Sequence, residues 1–309
     1  MKLTVTEHLL RVERPNWLPL ARREANLLAR SWGTWLFGLL IVLFHSWATG
    51  QSETVTSALG PTEVVADLQT AVSLVLPYAA VFTCYRSVVG QRETGSIAFT
   101  AGMPLERRDV LVGTIVGRSI GLGLACTAAI VVVWIVGTIR FDFVPVLPMS
   151  GMWAISMVYV FVTVALVVSL SAAVRTTTTA VGIGFVYALF LCQLWSGMVW
   201  NLAYAAVSGL PFVSASDPVP ALLIQRSTPD GSYNLLTNWA LGLENSAESY
   251  VYLVEGGTHL SQPLAVETTV GSDAPFYLSE WGGVVIWISW TVVMFTIATY
   301  RFERTDLTR

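Results

Sequence analysis

Long apolar runs alternate with shorter polar segments along the 309 residues of the chain. A bilayer core about 30 Å thick is crossed by about 20 residues of helix, and backbone groups in lipid must find their hydrogen-bond partners within their own segment. The pattern therefore predicts an all-α integral membrane protein with six transmembrane helices. Their bounds are 32–50, 70–88, 119–139, 152–173, 180–206 and 281–300.

The polar segments divide the chain into four parts. They are the leading segment 1–31, the first five spans 32–206 with a loop at 89–118, a long loop 207–280, and the sixth span with the C-terminus, 281–309. The long loop is acidic and rich in proline, and it is too long for a plain connector. We expect it to fold over the outer mouth of the bundle, with a short helix around residues 232–243.

Basic residues are distributed unevenly between the two sides of this arrangement. If the N-terminus is cytoplasmic, fifteen of the seventeen Lys and Arg residues lie inside, and only Arg140 and Arg226 lie outside. Cytoplasmic loops of membrane proteins carry an excess of Lys and Arg. The sequence therefore predicts a multi-pass protein of the cell membrane with both termini in the cytoplasm.

Residues 17–31 precede the first span and show two faces with a helical period. The apolar face holds Leu20, Ala21, Leu27 and Leu28, with Glu24 as a charged exception, and the opposite face holds Arg22, Arg23, Asn26 and Arg30. Basic amphipathic helices of this kind lie on the membrane surface against anionic head groups. We expect an interfacial helix here, and a solvated helical leader is the alternative.

The stretch ETGSIAFTAGMPLERRDVLVGTIVGR, residues 93–118, is a charged insert between the second and third spans. Residues 93–103 are compatible with one short helix, in which Glu93 is favoured at the positive N-terminal end. Pro104 ends that helix and suits the first turn of another, so Arg107 and Arg108 would reach water. A short rigid hairpin can pass a push from a cytoplasmic partner to two spans. The alternative is an ordinary solvated connector.

Small residues recur every four positions along the third span. They are Gly113, Gly117, Gly121, Ala125 and Ala129. Small residues at this spacing let helices approach closely. We therefore expect a helix-packing face on this span.

Composition limits the chemistry that this chain can perform. Hydrophobic residues make up 54% and charged residues 12%, against about 25% charged residues in soluble domains. The sequence has no phosphate loop, CxxC or HExxH motif, so we expect no catalytic residue, metal ion, cofactor or nucleic acid on this chain. Strongly polar groups inside the spans are limited to His45, Gln193 and Asn201, which gives little support for an intramembrane enzyme or a secondary transporter.

The stretch 93–118 resembles the cytoplasmic loop of the class-two ABC transporter permeases, the export-type membrane subunits. That family has an acid-x-Gly-[ST] start, a proline after a short helix, a nearby arginine and a glycine at the beginning of the next span. The matching residues are Glu93, Gly95, Ser96, Pro104, Arg107 and Gly113, and the compatible residues are Arg108, Asp109 and Gly117. The C-terminal YRFERTDL is similar to the family's basic ending. Two positions differ, since the family's leucine pair is Thr100-Ala101 here and its lysine after Gly113 is Thr114.

The resemblance implies a permease subunit that pairs with a second permease copy or a homologous permease, and with a separate ATP-binding subunit that binds and hydrolyses ATP. The residues expected to couple to that ATPase are Glu93, Gly95, Ser96, Pro104, Arg107, Arg108 and Asp109. The substrate stays open, and export is expected by analogy. One alternative is a membrane subunit that transmits ATP-driven force without moving a substrate, and another is a secondary transporter that needs no ATPase.

Overall fold

The computed structural model describes residues 15–49, 53–95, 106–195, 199–209, 218–255, 264–271 and 274–304. These ranges are almost entirely helical and contain no β-strand. An isolated β-bridge between Ser246 and Ala265 joins two segments of the long loop.

The helices are numbered in chain order. They are α1 (Leu18–Ala29), α2 (Trp32–Ala48), α3 (Glu53–Leu59), α4 (Glu63–Cys84), α5 (Val89–Glu93), α6 (Arg107–Phe141), α7 (Val146–Ala173), α8 (Thr177–Val186), α9 (Trp200–Ser208), α10 (Val219–Arg226), α11 (Pro229–Ala240), α12 (Tyr250–Glu255), α13 (Val266–Thr269) and α14 (Trp281–Glu303). A π-helical segment, Tyr187–Gln193, continues α8, and short 3₁₀ turns at Gly60–Thr62 and Phe276–Leu278 precede α4 and α14.

Four helical segments are long and apolar enough to cross a membrane. They are Glu53–Glu93, Arg107–Phe141, Val146–Ala173 and Trp281–Phe302. A fifth candidate is the pair α1 and α2, which meet at an angle of 61°. The fifth apolar run of the sequence forms a shorter helix, Thr177–Gln193. The described residues therefore provide four to five candidate spans, where the sequence predicts six.

The central helix of the bundle is α4, which is buried along most of its length. It packs against α2, α6 and α7, and α14 joins the same large apolar core, whose members include Ile41, Leu68 and Leu122. Outward-facing apolar side chains such as Ile139, 77% exposed, and Val285, 61% exposed, lie on α6 and α14. Exposed apolar surface of this extent suits contact with lipid rather than with water.

A proline in the middle of α4 changes the backbone hydrogen bonding there. Pro77 has no N–H, so the carbonyl of Ser73, one turn earlier, has no helical donor. The Gln193 side-chain amide donates to the Ser73 carbonyl at 3.1 Å. The π-helical segment is thus attached to α4 by a polar side chain that satisfies a carbonyl in an apolar environment, where an unsatisfied group is costly.

The long loop places a helix inside the bundle rather than only over it. Helix α11 is buried along most of its length and packs against α4, α7 and α14. Its first residue after the cap is Pro229, which suits the first turn, and the Thr228 hydroxyl accepts from the Gly231 N–H at 3.1 Å. A Cβ at Gly231 would lie 2.5 Å from the Gln225 carbonyl, so only glycine fits this turn.

Polar groups of α11 are satisfied by α4. The Gln69 amide donates to Thr237 Oγ1 at 2.5 Å and to Asn238 Oδ1 at 2.9 Å, and its oxygen accepts from the Tyr250 N–H at 3.1 Å. Because both partners are buried, these bonds replace water contacts that the groups have lost. A sequence that looks like a polar loop can therefore occupy an interior position.

Candidate functional site

The ATPase-coupling residues expected from the sequence lie on both sides of residues 96–105. Those ten residues are outside the described part of the chain, and so are two of the expected site residues, Ser96 and Pro104. Glu93 and Gly95 precede them, and Arg107, Arg108 and Asp109 follow them.

On the preceding side, α5 is fixed to the end of α7. The backbone N–H groups of Val88 and Val89 donate to the Ser171 hydroxyl at 3.2 and 3.1 Å. The Arg92 guanidinium donates to the carbonyls of Ala172, at 2.8 Å, and of Val174, at 3.3 Å. Arg92 thereby satisfies carbonyls at a helix C-terminus, where a cation is favoured.

Glu93 lies at the end of a helix, not at its beginning. The expectation that a short helix starts at Glu93 is wrong, because the apolar side chain of Val89 is buried against Val174 and Ala180 and the helix forms over Val89–Glu93. The Glu93 carboxylate accepts from the Thr177 N–H at 2.7 Å and from the Thr177 hydroxyl. The acid therefore does sit at a positive helix end, but this is the N-terminus of α8.

Gly95 allows the chain to turn after α5. Its φ of +69° lies in the left-handed region, which glycine adopts without the steric penalty of a Cβ. The helix cannot continue past this residue, so the direction of the chain changes before the 96–105 segment.

On the following side, the beginning of α6 is capped within its own sequence. Glu106 is the N-cap, and its N–H donates to Asp109 Oδ2 at 3.2 Å, while its carboxylate accepts from the backbone of Asp109. This reciprocal arrangement satisfies two N–H groups that the helix leaves free. Asp109 therefore has a local structural role in fixing where α6 begins.

Arg108 is exposed, as expected, whereas Arg107 is only partly exposed. The Arg107 guanidinium donates to the Phe302 carbonyl near the end of α14. The ring of buried Phe302 has Arg92 and Arg107 at 4.6 and 5.7 Å from its centroid, within the range of cation–π attraction. No sequence pattern distinguishes Phe302, although an aromatic between the arginines of the basic ending YRFERTDL is an available signal.

The ends of five helices therefore meet at one end of the bundle, which we call the hairpin end. It comprises the end of α5, the start of α6, the end of α7, the start of α8 and the end of α14, joined through Arg92, Glu93, Arg107, Thr177 and Phe302. The described residues on both sides of positions 96–105 belong to this group of contacts.

The small residues of α6 form the surface on which α1 lies. A Cβ added at Gly113, Gly117 or Gly121 would come within 3 Å of α1 atoms, the shortest distance being 2.3 Å from Gly117 to the Ala21 carbonyl. Further along, Ala125 faces α2, where a Cβ on Gly38 would lie 3.0 Å from the Ala125 carbonyl. The stripe thus brings α1 and α2 close to α6.

Glu24, the charged exception on the apolar face of α1, is buried and paired. Its Oε2 lies 2.8 Å from Arg118 Nη2 and 2.9 Å from Arg118 Nε, and Arg118 also donates to the Thr83 carbonyl of α4. The face of α1 that contains Leu20 and Glu24 is therefore covered by α6, while Leu27, expected on the same face, is 52% exposed. A single arginine holds α1, α4 and α6 together.

Among the described residues, no cluster of three or more His, Cys, Asp or Glu side chains could hold a metal ion. The contacts at the hairpin end are hydrogen bonds, helix caps and cation–aromatic contacts, and they fix the positions of helix ends. They suit the transmission of movement.

Comparison with known proteins gives one informative result. No curated protein matches the chain. The model of the family described as ABC-2 family transporter protein matches residues 18–307, which include both sides of the hairpin end and all the candidate spans. This confirms the resemblance expected from residues 93–118, and the chain belongs to the ABC-2 family of transporter membrane proteins, the multi-pass permease components of ABC transporters.

Proposed function

We propose that this chain is the permease subunit of an ATP-driven exporter and that a separate ATP-binding subunit docks on the hairpin end, at residues 93–109. ATP is bound and hydrolysed on that partner, and this chain binds no cofactor of its own. A second permease copy, or a homologous permease, completes the transporter. The substrate is unidentified.

The observation that carries this proposal is the way in which both ends of the 96–105 segment are fixed. Arg92 and Glu93 tie the preceding end to α7 and α8, and Arg107 ties the following end to α14. A force applied to the segment would reach the ends of four candidate spans at once. An ordinary connector would not need these attachments.

We further propose six spans with cytoplasmic termini in the cell membrane. In this arrangement α2, α4, α6, α7 and α14 are five of the spans, and α8 with its π-helical continuation towards α9 is the remaining one. Helix α1 lies at the cytoplasmic interface with Arg22, Arg23 and Arg30 exposed, where anionic head groups attract basic side chains. In this arrangement one side of α1 packs against α6, and the opposite side contacts the lipid head groups.

The docking proposal is tested by co-producing the chain with candidate ABC ATP-binding subunits from the same genome and measuring co-purification and ATP turnover. The test variant is Arg108→Glu, because Arg108 is exposed at the first turn of α6. The control is Glu244→Lys, a charge reversal at an exposed residue of the long loop. We expect Arg108→Glu to reduce ATPase binding or turnover at least tenfold, since a like charge opposed to a partner's acid costs several kcal/mol, and the control to match the wild type. If neither co-purification nor turnover changes in Arg108→Glu and in Glu93→Lys, the hairpin end is not the docking site.

The proposed topology is tested by labelling single introduced cysteines in intact cells with a membrane-impermeant reagent. Ser232 is fully buried and is unsuitable as a reporter, so exposed Glu244 reports on the long loop and exposed Arg304 on the end of α14. We expect labelling of Glu244→Cys only. Labelling of Arg304→Cys in intact cells would show that the orientation is reversed.

A further inference from the structure

Helix α11 carries a carboxylate into the interface that it forms with the spans. Asp230 is 3% exposed, and its Oδ1 accepts from the Ser73 hydroxyl of α4 at 2.6 Å and from the Tyr159 hydroxyl of α7 at 3.1 Å. Both donors are neutral. Hydrogen bonds from hydroxyl groups stabilise a carboxylate less than an ion pair does, so burial of the negative charge is only partly compensated.

The surroundings of Asp230 are tightly packed. The ring of Tyr159 stacks between Tyr233, with centroids 4.4 Å apart, and Trp287 of α14, with centroids 5.9 Å apart. The Trp287 indole N–H donates to the Pro229 carbonyl, the residue before Asp230, at 2.8 Å. The groups that contact Asp230 and the residue before it thus come from three helices, α4, α7 and α14.

The titratable groups that face Asp230 are all acidic or neutral. They are Tyr159 on α7, Tyr187 and Cys192 on the π-helical segment, Tyr233 on α11 itself, and Glu248 in the segment after α11. The elements α4 and α14 contribute Ser73 and Trp287, which do not titrate. Helix α10, which also packs against α11, carries the buried Arg226, but its guanidinium donates to the Leu278 carbonyl and to Asn245. Among the described residues, the hydrogen-bond partners of the Asp230 carboxylate are therefore the two hydroxyl groups and no cation.

We propose that Asp230 is a proton-binding site and that the bound proton controls how firmly α11 is seated between α4, α7 and α14. Helix α11 lies outside the candidate spans, in the loop that the proposed topology places outside the cell. The proton would then come from the external side. This inference concerns the permease chain alone and does not depend on the docking of an ATPase.

Burial raises the pKa of Asp230 from 3.8 to about 7, against the lowering effect of the Ser73 and Tyr159 hydroxyl groups. A group that binds its proton more tightly when α11 is seated favours the seated state at low pH. The advantage declines as pH rises between the two pKa values and is gone above about 7. One proton corresponds to at most a tenfold change in the equilibrium for each pH unit.

The test is hydrogen–deuterium exchange of α11 in the purified full-length chain, reconstituted in lipid nanodiscs at several pH values and corrected for intrinsic exchange rates. All variants are made in a Glu248→Gln background, because Glu248 is a second buried acid of this region and would add its own pH dependence. In this background, which serves as the wild type for the comparison, we expect the protection of residues 229–240 to fall up to tenfold per pH unit from pH 5 to about pH 7 and to become level above that. The variant Asp230→Asn should lose this dependence, because its amide can still accept from Ser73 but does not titrate. The matched control Glu244→Gln, at an exposed acid of the same loop, should behave as the wild type.

A second variant keeps the proposal testable if Asp230→Asn does not fold. In Ser73→Ala the charged form of Asp230 loses a hydrogen-bond donor, so the pKa of Asp230 should rise. The pH at which protection becomes level should therefore move upwards. The Glu248→Gln background is needed because burial raises the pKa of Glu248 to about 8, so with that acid present the decline in protection would continue above pH 7. Protection that is independent of pH in the wild type, a dependence unchanged in Asp230→Asn, or an unmoved midpoint in Ser73→Ala would each overturn the proposal.

Discussion

The contact between α1 and α6 depends on the absence of a side chain at Gly117, and the substitution Gly117→Ala measures its strength. The added Cβ would lie 2.3 Å from the Ala21 carbonyl oxygen, 2.9 Å from the Ala21 Cα and 2.7 Å from the Glu24 Cβ. Two of these atoms belong to the backbone, so no rotamer change can relieve the overlap. Helix α1 must therefore move away from α6, and this separates the Glu24 carboxylate from Arg118.

The size of the effect follows from a comparison with a matched glycine. Overpacking of a close contact costs about 1–3 kcal/mol, while alanine favours a helix over glycine by about 1 kcal/mol. Gly182, on α8, is exposed and has nothing within 4 Å of an added Cβ, so Gly182→Ala should gain the propensity term alone. Because that term is common to both variants, their difference isolates the α1–α6 contact, and we expect Gly117→Ala to be about 1–3 kcal/mol less stable than Gly182→Ala.

Both variants are purified in the same detergent, and the midpoint of thermal unfolding is measured together with hydrogen exchange of residues 18–29. We expect a lower midpoint and faster exchange of α1 in Gly117→Ala, and an equal or higher midpoint with unchanged exchange in Gly182→Ala. If Gly117→Ala is as stable as Gly182→Ala and α1 exchanges as in the wild type, α1 does not lie on the small-residue stripe of α6.

Two further predictions concern polar groups inside the bundle, and the unfolding midpoint checks both. Gln193→Leu should destabilise the chain by about 1–3 kcal/mol, because the Ser73 carbonyl is left unsatisfied. The same change should cost less in a Pro77→Ala background, where the backbone N–H of residue 77 can donate to that carbonyl. Equal costs in the two backgrounds would contradict this interpretation. Glu24→Leu should cost about 3–5 kcal/mol by leaving the arginine without its partner, and adding Arg118→Met should recover part of that loss rather than add to it.

The sequence contained both partners of the α1–α6 interface but not their pairing. The amphipathic face around Leu20 and the stripe around Gly117 are each visible from helical periodicity. Periodicity shows that a face is buried but not what covers it, so the sequence alone predicts that the apolar face of α1 contacts lipid. Glu24 on that face is the available signal for a protein partner, because a charged carboxylate is costly to bury without a partner. Arg118 lies too far along the chain for the pair to be recognised from spacing.

The polar helix α11 illustrates the opposite difficulty. Its residues look like a loop because hydropathy counts each side chain alone, whereas Gln69 and Ser73 of α4 satisfy the polar groups of α11 after folding. The helix expected around residues 232–243 lies at Pro229–Ala240, where a Thr cap and a following proline mark the start. Local signals therefore predicted that a helix forms, while its burial depended on partners more than 150 residues away.

The capped start of α6 and the clamp on α1 belong to the same rigid element. Arg107 and Arg118 are eleven residues apart on one uninterrupted helix, about 16 Å at 1.5 Å per residue. Arg107 holds the end of α14, and Arg118 holds α1 and α4. Helix α1 packs directly on the glycines of α6, so no side chain between the two helices can deform. A movement that tilts α6 must therefore move α1 as well or break the buried Glu24–Arg118 pair. The coupling segment that we propose at 96–105 thus leads into α6, and the position of α1 on α6 depends on Gly117 and on the Glu24–Arg118 pair.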